Sequence, residues 1–109
     1  MNYDQERGKF IEIMRQEGMT QREAELILRH AATIERLAVA RCNRELSEEE
    51  ERKDERMEEI IKGICKNHGI KANFNGDPRG YTTKLILKSG RYNTWGGQES
   101  GYGVPTRNY

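Results

Sequence analysis

The feature that most limits what this chain can fold into is a change of hydrophobic period at Gly69. Before it, apolar residues recur every three to four positions; after it, they recur every second position. A block of helices followed by a block of strands belongs to the α+β class, with helices gathered on one side of an antiparallel sheet. The expected architecture is about three N-terminal helices packed on a small antiparallel sheet of about three strands. The 109 residues are read as one domain. Its helical part is 1–69, its hairpin sheet is 70–95, and 96–109 is a glycine-rich tail or holds a short final strand near 102–104.

Local signals set the helix limits. A first helix is expected over about residues 5–16, with Phe10, Ile11, Ile13 and Met14 on its apolar side and Gly18 beyond its end. Thr20-Gln21-Arg22-Glu23 and Ser47-Glu48-Glu49-Glu50 both fit the capping box, in which hydroxyl and carboxylate satisfy each other's backbone amides. The second helix carries Ala24, Ile27, Leu28, Ala31, Ile34, Leu37, Ala38 and Cys42 at helical spacing and should stop near Asn43 or Arg44. The third opens on a charged stretch that projects into water. It then presents Met57, Ile60, Ile61, Ile64 and Cys65, and ends at Gly69 in the left-handed conformation.

In the second part, Ile70, Ala72 and Phe74 alternate with polar residues, and residues 75–80 read as a turn cluster. Residues 81–88 and 91–95 read as a hairpin. Taking Ser89-Gly90 as a two-residue loop opposes Leu87 to Tyr92, Ile86 to Asn93 and Lys84 to Trp95. Ile70, Phe74, Leu85, Leu87 and Tyr92 then face the helices. Lys84, Lys88, Arg91, Asn93 and Trp95 share the other face with Ile86, and Arg79 is displayed on the preceding turn. Cations beside an indole suit nucleic acid, where cations track phosphates and the ring stacks a base. They also suit a protein partner. A solvated sheet face, with lysine stems lying over the tryptophan, needs no ligand at all.

Charge divides at nearly the same place as period. Residues 1–60 hold 11 basic and 16 acidic groups (−5), and residues 61–109 hold 8 and 2 (+6), giving the net +1. Leu, Ile, Val and Phe number only 19, so the core is thin and self-association into a homodimer would help it. The acidic run at 45–59 is interrupted by Arg52, Lys53 and Arg56; Glu48–Arg52 and Glu49–Lys53 fit i,i+4 pairs on a solvated helix face.

Several classes have no support in the sequence. The longest apolar run is Leu85-Ile86-Leu87, far short of a membrane span, and the first residues lack the basic and apolar regions of a secretory signal. Cys42 and Cys65 are then expected as reduced, buried thiols in a cytoplasm. With His30 and His68 they match no zinc spacing, so no metal or cofactor is expected. No nucleophile–base motif, phosphate loop or metal-protease helix is present, and no catalytic residue is assigned.

Two segments carry a resemblance. LRHAATIERLAVARCN at 28–43, and GDPRG at 76–80 followed by NTWGG at 93–97 and VPT at 104–106, resemble small proteins of bacteriophages and prophages to which no activity attaches. The resemblance implies an accessory role in the cytoplasm of an infected cell. The expected function is a non-enzymatic protein that binds and inhibits a host or defence-system protein. The alternatives are a nucleic-acid-binding module using the basic, aromatic sheet face, and a small enzyme without a recognisable motif. The expected contact residues are Arg79, Lys84, Lys88, Arg91, Asn93 and Trp95.

Overall fold

The helix ends fall where local chemistry places them. In a computed structural model, which describes residues 3–77, 80–96 and 107–109, α1 spans Tyr3–Gln16, α2 Gln21–Asn43 and α3 Glu48–His68. Both capping boxes form: Thr20 Oγ1 accepts from the Glu23 amide at 3.1 Å, and Ser47 Oγ accepts from the Glu50 amide at 3.1 Å. Glu23 and Glu50 reach back to the cap amides at 3.0 and 2.9 Å. Gly69 closes α3 at φ 64°, a left-handed conformation that costs a glycine nothing.

Four antiparallel strands follow: β1 (Lys71–Asp77), β2 (Gly80–Ile86), β3 (Tyr92–Trp95) and β4 (Arg107–Asn108), in the order β3-β2-β1-β4. The expected α+β arrangement is therefore present, with a fourth, short strand at the end of the described residues. Residues 97–106, which include the expected strand near 102–104, lie outside the described residues. The expected turn cluster at 75–80 is mostly strand, since β1 pairs with β2 as far as Asp77 opposite Gly80. Gly76 is a packing glycine: a Cβ built on it would stand 2.7 Å from Ile34 Cγ2, so its lack of a side chain lets β1 lie close against α2.

The sheet's inner face carries Ala72, Phe74, Thr83, Leu85, Leu87, Asn93 and Trp95, all buried. Against it α2 covers β1 and β2, α1 covers β3, and α1 and α3 each pack on α2. Phe10, Met14, Ile27, Ile61, Phe74 and Leu85 form the fully enclosed centre. Two expectations fail at helix faces. Cys42 is exposed, because the last turn of α2 runs past the core, and Ile60 is about half exposed on α3. Of the two expected i,i+4 pairs, Glu49–Lys53 forms at 3.1 Å and Glu48–Arg52 does not.

Candidate functional site

The loop between β2 and β3 decides which side chains the sheet presents. It has three residues, Lys88, Ser89 and Gly90: the Gly90 amide donates to Leu87 O and the Leu87 amide donates to Arg91 O, each at 2.8 Å. Gly90 takes φ 89°, the left-handed residue that completes a three-residue loop. Leu87 is thus opposite Arg91, and the register continues Ile86–Tyr92, Leu85–Asn93, Lys84–Thr94, Thr83–Trp95. This corrects the two-residue loop. A one-residue slip moves every β3 side chain to the other face.

The expected shared face of Lys84, Lys88, Arg91, Asn93 and Trp95 therefore does not form. Trp95 is 6% exposed, packed with Phe10 at a ring distance of 5.9 Å and edge-on to Tyr3 at 5.5 Å. Asn93 is buried, and its Nδ2 donates to Phe10 O at 3.2 Å, tying β3 to α1. Arg91 turns to the helix side, where its guanidinium donates to Gln16 Oε1 at 2.9 Å; Ser89 beside it donates to Glu17. The Lys88 stem lies over Gly69 at the end of α3. Arg79 lies outside the described residues. Lys84 alone of the six stands on the outer face.

What the outer face does present is a different constellation. Tyr92, expected in the core, is 71% exposed and sits directly opposite Ile86, itself 38% exposed. Lys71, Lys84 and Thr94 surround this apolar pair, and Asn73 Nδ2 donates to Asn108 Oδ1 at 2.7 Å where β4 joins the sheet. Together they line an open depression of about 870 Å³. The charged groups among the described side chains of this face are Lys71 and Lys84. The arrangement has an apolar centre and a polar, cationic rim, the usual anatomy of a protein-binding patch. The sequence did hold a signal for it: glycine third in Lys88-Ser89-Gly90 is where a three-residue loop needs a left-handed residue.

A second cluster is enclosed. His30 on α2 is fully buried, edge-on to Phe74 at 4.9 Å, with Nε2 3.0 Å from Tyr109 Oη. Its Nδ1 meets no hydrogen-bond partner among the described residues. Burial, seconded by the Arg107 cation, pushes the imidazole down to about 4, so it is neutral at pH 7. Arg107 makes two parallel bonds to the buried Asp54 of α3, at 2.9 and 2.8 Å. Burial would lower the Arg107 pKa, but the Asp54 pair and Tyr109 together outweigh it and the net direction is upward. Burial also raises the Tyr109 phenol. A neutral, enclosed imidazole and a fully paired guanidinium hold β4 onto α2 and α3. Cys65 is likewise buried, its thiol pushed up to about 11 and so unreactive at neutral pH.

Among the described residues no three His, Cys, Asp or Glu side chains converge to hold a metal ion, and no helix is long and apolar enough to cross a membrane. No family model, curated protein or solved structure matches the chain.

Proposed function

We propose that this chain is a non-enzymatic, phage-type accessory protein that binds a host or defence-system protein in the host cytoplasm through the outer face of its sheet. The observation that supports this reading is the Ile86–Tyr92 pair, exposed at the centre of a face with a cationic and amide rim. A tyrosine offers a large rigid contact area at low entropic cost, and interfaces concentrate their binding energy in such anchors. The partner surface that fits is an apolar pocket for the Tyr92 ring, bordered by a carboxylate that meets Lys71. Single-stranded nucleic acid fits less well, because such platforms stack successive bases on several aromatic rings. Tyr92 is the one exposed aromatic among the described residues of this face, and Trp95 is buried on the inner face.

The test places a photo-crosslinking residue at position 92, and in a second variant at the exposed position 60 on α3, in infected host cells. A protein adduct from position 92 that survives nuclease and is absent from position 60 supports the reading. Tyr92→Ala should then weaken binding of that purified protein by at least tenfold. A nuclease-sensitive adduct, no adduct, or unchanged affinity of Tyr92→Ala overturns it.

A further inference from the structure

The side of the molecule opposite the sheet's outer face carries a feature that the proposed function does not use. Arg22, Arg29 and Arg36 stand seven residues apart on α2 and all three are exposed. A seven-residue step drifts only ~20° around a helix, so the three guanidiniums share one ridge. At 1.5 Å per residue they follow one another at ~10.5 Å and span ~21 Å. Only small residues, Ala32 and Thr33, lie between the second and third on this side.

The ridge arginines have no carboxylate within ion-pairing distance among the described residues. Two depressions flank them, of about 400 and 480 Å³, and Arg29 lines both. Three carboxylates border those depressions and each is engaged elsewhere. Glu25 faces Arg7 at 3.8 Å, Glu50 faces Arg44 at 2.7 Å, and Asp54 is held by Arg107. The surplus positive charge on this side is therefore the ridge itself.

We infer that the outward ridge of α2 is a contact surface for the phosphate backbone of a nucleic-acid duplex. Three features favour that polyanion over an acidic protein. The charges repeat at even spacing along a straight rod, as suits a stiff, regularly charged ligand. They are all arginine, whose planar fork matches phosphate oxygens two at a time. And no exposed large apolar residue stands between the arginines on α2 itself: Tyr3 of α1 reaches the first depression beside Arg22 and Arg29, Ile60 belongs to α3, and Val39 lies one turn beyond Arg36.

The test is fluorescence anisotropy of a labelled 20-base-pair DNA duplex of arbitrary sequence, with the full chain, at several salt concentrations. Each phosphate neutralised contributes ~0.9 to the slope of log affinity against log salt, so three contacts give about −2.7 and a loss of ~40-fold from 50 to 200 mM. Arg29→Gln should reduce that loss to ~12-fold. Arg56→Gln, an exposed cation on α3, should leave it unchanged. The variant with all three ridge arginines changed to Gln should lose binding while keeping its circular dichroism spectrum. The inference is overturned if the duplex is not bound at 50 mM salt, if Arg29→Gln keeps the wild-type slope, or if Arg56→Gln weakens binding as much as Arg29→Gln. It is equally overturned if polyglutamate displaces the duplex at equal charge concentration, since the ridge would then answer to any acidic chain.

Discussion

Acidification should destabilise this protein through His30 before its carboxylates take effect. The imidazole lies between α2 and the sheet with no exposed surface, and burial is the largest reason its pKa falls from 6.5 to about 4; Arg107 adds to this, while Asp54 and Glu58 oppose it more weakly. In the unfolded chain the imidazole takes up a proton below its ordinary pKa of about 6.5, whereas the folded state keeps it neutral until about 4. Its contribution is thus complete above pH 6.5 and is lost as pH falls towards 4. At roughly 1.4 kcal/mol per pH unit, that interval is worth roughly 3 kcal/mol, a large part of the 5–15 kcal/mol typical of a domain. Glu50, drawn down to about 2 by Arg44, loses its contribution only as pH falls below its ordinary 4.5, so most of the His30 window lies above it. Urea unfolding at pH 7.5, 6.5, 5.5 and 4.5, followed by Trp95 fluorescence, should show stability falling below pH 6.5. His30→Gln keeps a hydrogen-bonding partner for Tyr109 but does not titrate, so its stability should fall less steeply. Wild-type stability that stays level from pH 6.5 to 4.5, or an equal fall in His30→Gln, would refute the argument.

Two substitutions test the register directly. Trp95→Ala should cost roughly 3–5 kcal/mol, as large-to-small changes at buried aromatic sites do, while Tyr92→Ala should stay within roughly 0.5 kcal/mol of wild type. Circular dichroism melts measure both, and the opposite ranking would restore the two-residue loop. Gly76→Ala forces a Cβ to within 2.7 Å of Ile34 Cγ2 and should destabilise by roughly 1–3 kcal/mol. Combining it with Ile34→Ala should cost less than the two single changes added together, and strict additivity would show that the close approach is not the cause.

The helical half was legible because its signals are local. A capping box needs only four consecutive residues, and the apolar stripe of Ala24, Ile27, Leu28, Ala31 and Ile34 is a property of one helix. The outer face of the sheet was not legible. The alternation marks the hairpin strands, but the chain joins them by three residues rather than the expected two, and that single residue exchanges Tyr92 with Trp95. Alternation alone could not choose, because β3 carries an aromatic at each end and either parity buries one of them.

The sequence by itself determined the α+β order, the helix boundaries, and the split of a net +1 into an acidic first part and a basic second part. It also held the seven-residue arginine spacing on α2, though not whether those arginines would find partners. Tertiary structure decided which aromatic is covered, since Trp95 gains Phe10, Tyr3 and the Asn93 tie to α1. It likewise decided that Arg107 spends its charge on Asp54, 53 positions away. The division follows the range of the forces. Helix caps and periodicity act within a turn of the chain, whereas burial and ion pairing depend on neighbours that only folding brings together.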